Sequence, residues 1–199
     1  EITDATFSSD GKRIATVSNS GTGRVWDAAT GQSLLPPLRH GGGLRRVRFN
    51  RDGTLLVTAS MDGTVRLWNP ASGAQVTPPL RHGGWVNDLA FSPDGRRILT
   101  TSDDGTARLW DTTTGQPVTA PLRLGGGVWA PCFSREGRIV LAGNGLFAQV
   151  WEADTGLPLT PLLKSQTPVI QIAFSPDEQQ VLGVTVDRRL VSFDLRPLD

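Results

Sequence analysis

The side chains that could do chemistry are few. The 199 residues contain two histidines, His40 and His82, and one cysteine, Cys132. Each histidine sits in an identical Arg-His-Gly-Gly segment, 42 residues apart, so they are two copies of one structural position rather than a convergent acid–base pair. Cys132 falls in the apolar run APCFS (130–134), the setting of a buried, inert thiol, and a single cysteine excludes an intrachain disulfide. The carboxylates recur too. Asp10, Asp52, Asp94, Glu136 and Asp177 occupy one equivalent place, and Asp27, Asp111 and Glu152 another. Such recurrence belongs to turn chemistry, in which a carboxylate accepts nearby backbone N–H groups, and not to a paired general acid and base. The loop DTTTG (111–115) has one acid followed by hydroxyls and lacks the alternating carboxylates of an EF-hand. The runs Gly41–Gly43 and Gly125–Gly127 precede no Lys-Ser or Lys-Thr and open no helix, so they read as tight connections, not phosphate loops. No catalytic residue, no metal site and no cofactor is expected.

The elements that carry these residues repeat with one period. Phe7, Phe49, Phe91, Phe133 and Phe174 step by 42, 42, 42 and 41, and Trp26, Trp68, Trp110, Trp151 and Phe193 keep the same offset. In the third copy, VNDLAFS (86–92) is a short apolar run closed by Pro93-Asp94-Gly95, a turn signal. RRILTTS (96–102) follows, then Asp104-Gly105, which favours a hairpin because glycine accepts positive φ. TARLWD (106–111) is a third strand, and QPVTAPLRL (116–124) a fourth whose Pro117 and Pro121 suit only a sheet edge. Four strands per roughly 40–45 residues is the spacing of propeller blades, which bury their faces against one another.

The segments FSPDG, SDDGTARLWD and RHGG, in that order, resemble the WD-repeat family over essentially the whole chain. The resemblance implies an all-β fold, a β-propeller of four-stranded antiparallel blades. About five blades are expected, as one domain over 1–199 with repeats at 1–42, 43–84, 85–126, 127–167 and 168–199, in an open or incomplete ring. A five-bladed ring with an incomplete last sheet is the alternative. The resemblance also implies a buried hydrogen-bonded tetrad in each complete copy: His40, Thr58, Asp62 and Trp68 in one, His82, Thr100, Asp104 and Trp110 in the next. Other copies depart from it. The first has Thr16 and Trp26 with Ser20 at the Asp place. The fourth keeps only Trp151, with Leu124, Leu141 and Gly145 at the others, and the fifth keeps only Asp187, with Ser165, Gly183 and Phe193. The last two copies are therefore expected to be the less rigid.

Family members bind partners on the face that carries the loops between strands two and three and between blades. Carried over by position, that face holds Arg45, Met61, Trp85, Asn87, Asp103, Trp129 and Asn144, which differ from copy to copy as a partner-specific surface would. Trp85 and Trp129 lie outside the tryptophan ladder, and Trp and Arg are favoured binding anchors. The alternative for both indoles is covering the central channel or packing on neighbouring loops. The net charge of +1 gives no field for nucleic acid, and no run is long and apolar enough for a bilayer. The repeated Arg39, Arg81, Arg123, Lys164 and Arg24, Arg66, Arg108 are expected to be solvated or ion-paired. A single cysteine favours a reducing, cytoplasmic setting.

The expected function is a non-catalytic protein-interaction scaffold or sensor module binding a protein or peptide, with further blades from elsewhere in the same protein. The phrasing TGQ, TPPL or TAPL, then RHGG looks like bacterial WD-repeat proteins. The alternative function is accordingly the regulatory propeller of a multidomain bacterial signalling enzyme, a serine/threonine kinase or an NTPase.

Overall fold

The structure, a computed structural model, describes residues 1–124, 127–143 and 146–195, with the backbone alone for 140–143. The first sheet is β1 (Ile2–Phe7), β2 (Arg13–Ser18), β3 (Thr22–Asp27) and β4 (Leu38–Arg39). The second is β5 (Leu44–Phe49), β6 (Leu56–Ser60), β7 (Thr64–Trp68) and β8 (Leu80–Arg81). The third is β9 (Val86–Phe91), β10 (Arg97–Ser102), β11 (Thr106–Asp111) and β12 (Leu122–Arg123). The fourth is β13 (Val128–Phe133), β14 (Arg138–Gly143), β15 (Phe147–Glu152) and β16 (Leu163–Lys164). A three-stranded fifth contains β17 (Val169–Phe174), β18 (Gln180–Thr185) and β19 (Leu190–Asp194). Each sheet is an antiparallel meander in chain order, and no helix occurs among the described residues.

Why the strands read as near-continuous apolar runs follows from period-two geometry. Successive side chains of a strand point to opposite faces, and in the sheets flanked on both sides both faces are buried against a neighbour. Leu56 packs with Val17, Val25 and Leu44 between sheets one and two, while the adjacent Val57 joins Val86, Leu89 and Ile98 between sheets two and three. Ile98 and Leu99 divide in the same way, Leu99 packing with Val128, Ile139 and Trp151 of the fourth sheet. Between sheets four and five the buried cluster contracts, among the described residues, to Val150 and Val181, flanked by half-buried Cys132, Ile172, Phe174 and Phe193.

The first strands β1, β5, β9, β13 and β17 pack one against the next, which makes them the inner strands of a radial arc. The arc is open. No described strand of the fifth sheet pairs with the first, and Ile2, Phe7, Ile170 and Leu190 at its two ends stay exposed. The outermost strand is shorter than the run 116–124 would allow. Only Leu122 and Arg123 pair, with an isolated bridge at Pro117, and the same bridge and two-residue strand recur where Ser33 and Gln75 stand in its place, so the shortening belongs to the repeat and not to Pro117.

Each inner strand also carries a register irregularity at its start. The pairing slips between Leu44 and Arg46, at Asn87 between Val86 and Asp88, and between Trp129 and Cys132, where Ala130 takes φ 50°. A bulge of this kind re-aims the unpaired residue away from the ladder.

Candidate functional site

Two groups of polar residues can be built upward from these sheets. The first is structural. In the third sheet the Thr100 hydroxyl, fully buried, accepts from Trp110 Nε1 at 2.8 Å and meets His82 Nε2 at 2.8 Å. His82 Nδ1 lies 3.2 Å from Asp104 Oδ2. A carboxylate only accepts, so Nδ1 carries the ring proton, and Nε2 must accept from the Thr100 hydroxyl. The result is a relay running Trp110 to Thr100 to His82 to Asp104. The second sheet repeats it: Trp68 Nε1 donates to Thr58 Oγ1 at 2.8 Å, Thr58 meets His40 Nε2 at 2.8 Å, and His40 Nδ1 lies 3.4 Å from Asp62 Oδ2.

Burial, opposed by the carboxylates of Asp62 and Asp104, lowers His40 and His82 from 6.5 to about 4, so both rings are neutral at ordinary pH. Burial acts to raise Asp62 and Asp104, but hydrogen bonds overcome it, from the Thr64 and Thr106 hydroxyls and the Gly41 and Gly83 N–H groups. Both carboxyls end at about 2. Thr64 and Thr106 are members the family spacing does not supply: each hydroxyl donates to its Asp at 2.6 Å and also approaches Nδ1 of its histidine. Their only sequence signal is the repeated Asp-Gly-Thr.

The glycines after each histidine serve this contact. A Cβ on Gly42 or Gly84 would stand 2.9 Å from the backbone nitrogen of Asp62 or Asp104, so the loop lies against the hairpin as only glycine permits. In the first sheet Trp26 Nε1 bonds Thr16 at 2.8 Å without a histidine. In the fifth, Asp187 accepts from Thr185 at 2.5 Å and from Thr167 at 3.3 Å.

Other acids close turns. Asp10 accepts from the Ser8 hydroxyl and the Lys12 N–H, and Asp94 from Ser92 and the Arg96 N–H. Asp27 and Asp111 each take two backbone N–H groups of the following loop. Among the described residues no carboxylate pairs with the third-strand arginines: Arg24 and Arg108 lie over the indoles of Trp26 and Trp110, 5.7 and 5.9 Å from the ring centres, and Arg66 donates to the Gln75 amide oxygen at 3.4 Å. The aromatic ring on the same strand competes for the guanidinium, which a charge count does not register. Burial raises the Cys132 thiol above its ordinary value, which leaves it a poor nucleophile.

The second group lies on the face that carries the β6–β7, β10–β11 and inter-blade loops. Arg45 and Asn87 are the unpaired residues at the bulges of β5 and β9, and Trp129 is the last paired residue before the irregularity at Ala130 and Pro131 in β13. The Arg45 guanidinium lies 5.3 Å from the Trp85 ring centre and 5.7 Å from that of Trp129. Its Nη1 donates to Asn87 Oδ1 at 3.0 Å, and the Asn87 amide donates to Asp103 Oδ1 at 2.7 Å and to the Val128 carbonyl at 3.3 Å. Asn87 is 1% exposed, whereas Trp85 and Trp129 are 49% and 39% exposed. Met61 donates its N–H to the Gly43 carbonyl at 2.8 Å, at the edge of the same cluster. Asn144 lies outside the described residues.

A radial arc of blades, two of them held by Trp–Thr–His–Asp relays, defines a β-propeller assembled from sequence repeats. The family model for the WD domain, G-beta repeat (WD40), matches residues 1–27, 33–69 and 76–111, just over half of the chain, and the chain belongs to that family. Among solved structures, the chain is similar to the computationally designed Ika8 protein at 23% identity and a TM-score of 0.86. The match covers 98% of this chain and 58% of that one, and at this identity it shows the fold alone. No curated protein matches. Propellers of this family are in general protein-interaction modules, typically non-catalytic. No helix among the described residues is long and apolar enough to cross a membrane.

Proposed function

We propose that the chain is a non-catalytic interaction scaffold or sensor module that recognises a protein or peptide through the face bearing Arg45, Met61, Trp85, Asn87, Asp103 and Trp129. The observation that supports this reading most is the joining of Arg45, Trp85 and Trp129, from separate sequence copies, into one exposed cluster. Exposed indoles around a fixed guanidinium are the composition of binding anchors. Selection of displayed peptides against the 199-residue chain tests it. Enriched binders are expected to lose at least tenfold in affinity for W85A and W129A and nothing for D52A on the opposite turns. Binders indifferent to both tryptophans would refute it.

A narrower reading makes this the regulatory propeller of a bacterial signalling enzyme. The TGQ, TAPL and RHGG phrasing supports it. A kinase or P-loop motif in the same reading frame is the expected finding, and a frame encoding blades alone would refute it.

A further inference from the structure

The inner strands carry three arginines within one blade, and their surroundings differ. Arg46 is paired with Asp88 at 3.0 Å and Arg48 with Asp4 at 2.5 Å, each bridging to a neighbouring blade. Arg45 has no carboxylate within ion-pair distance among the described residues. Its single hydrogen bond goes to the neutral Asn87 amide oxygen, and that amide is itself fixed by Asp103 and the Val128 carbonyl. A guanidinium has five N–H donors in a planar fork, so one bond leaves most of the fork without a described acceptor. The two indoles flank the guanidinium, their ring centres 5.3 and 5.7 Å from its carbon, which narrows the space it can sample before a ligand binds.

The occupant follows from shape and charge. A cation is disfavoured because Arg45 already lies against both indole rings. An anion is favoured, and its charge is bounded. Asp103 sits on the same hydrogen-bond network, and Arg46 and Asp88 cancel, so the cluster offers one guanidinium and little excess positive field. Asp103 repels any anion, a phosphate at roughly −1.5 to −2 charge more than a carboxylate, and one guanidinium balances only the carboxylate, whose two oxygens also match its planar fork. The half-exposed indoles beside it suit apolar side chains on either side of that carboxylate.

We infer that Arg45, flanked by Trp85 and Trp129, is the receptor for an aspartate or glutamate carboxylate in an acidic–apolar peptide segment of the partner. This rests on the interaction reading above and adds the chemistry of the partner. The test follows the indole N–H resonances of Trp85 and Trp129 during titration of the chain with four probes: acetyl-Leu-Glu-Leu-amide, its Gln and phosphoserine counterparts, and sodium acetate.

The Glu peptide is expected to shift both resonances saturably, at least tenfold more tightly than the Gln or phosphoserine peptide, with acetate far weaker. R45Q should erase the preference for Glu over Gln, and R45K, which keeps charge but loses the planar fork, should fall between. Arg45 is half-buried and donates to the buried Asn87, so a modest fall in melting temperature is expected of these variants, and the indole resonances of the folded state must persist in each. Equal binding of Glu and Gln peptides, tighter binding of phosphoserine, acetate matching the Glu peptide, or an acid preference that survives R45Q each overturns the inference. Displayed binders that need Trp85 and Trp129 but show no acidic residue would overturn the carboxylate assignment and leave the interaction face standing.

Discussion

Replacing Thr100 by valine removes one hydroxyl and keeps the shape of the side chain. In the third sheet that hydroxyl accepts from Trp110 Nε1 and donates to His82 Nε2, both at 2.8 Å, with the Arg108 carbonyl 3.3 Å away as a second acceptor, and the site is closed to solvent. T100V therefore strands one buried donor and one buried acceptor. At roughly 1–3 kcal/mol per unsatisfied group, less a small gain from the added methyl, the loss is about 3 kcal/mol. Thr16 is the internal control. It receives only the Trp26 bond, in a half-buried place with no histidine, so T16V strands one donor that water partly reaches, for about 1 kcal/mol.

Because an array of blades need not unfold as one unit, the readout must be local. Amide exchange supplies it. Protection of β10 and β11 should fall roughly 100-fold in T100V, and that of β2 and β3 about fivefold in T16V. Equal losses in the two variants would refute the relay, since a lone Trp–Thr bond would then account for both sites.

Other consequences can be checked with similar means. Since the folded pKa of His40 and His82 is lowered to about 4 from 6.5, the unfolded chain takes up protons first as pH falls. Stability should therefore be full above pH 6.5 and decline toward pH 4, by up to about 3 kcal/mol per histidine, and a urea midpoint unchanged over that range would contradict it. G84A should destabilise the third sheet by about 1–3 kcal/mol through the 2.9 Å approach to the Asp104 nitrogen, read as a lower melting temperature. Arg188 and Glu178 hold φ 63° and 56° at hairpin places where other copies have glycine. R188G should stabilise the fifth sheet by about 1 kcal/mol in denaturant titration. E178G should do the reverse, because Glu178 accepts from Arg138 at 2.8 Å and from the Arg135 N–H. Strands of sheets four and five should exchange faster than those of sheets two and three, given the smaller buried cluster between them, and equal protection would contradict this.

Much of the fold is readable in the sequence because one unit is written five times. The Phe and Trp ladders give strand order, and glycines at positive φ, such as Gly95 and Gly105, give the hairpins. That His82, Thr100, Asp104 and Trp110 form one contact set is implied by the family resemblance, which supplies the pairing that the residues alone do not. Spacing carries neither the direction of each hydrogen bond nor the tautomer, which depend on burial and on which atom faces the carboxylate. Thr106 escapes notice because a threonine after Asp-Gly is also an ordinary strand residue.

The exposed cluster is legible only as a roster of positions. That Arg45 reaches both Trp85 and Trp129 depends on neighbouring inner strands packing side by side and on the bulge that leaves Arg45 unpaired, and a bulge leaves no motif of its own. Likewise, nothing in the composition tells Arg108, lying over Trp110, from an arginine paired with an acid.

The measurement that bears most directly on partner recognition is mapping of contact on the folded chain. A peptide selected for binding, carrying a photo-activated crosslinker, should leave its adducts on Trp85, Trp129 and Met61, and lose them when Arg45 is changed to glutamine. Adducts confined to the outer strands β8, β12 and β16, or to the turns around Asp52 and Asp94, would contradict the account.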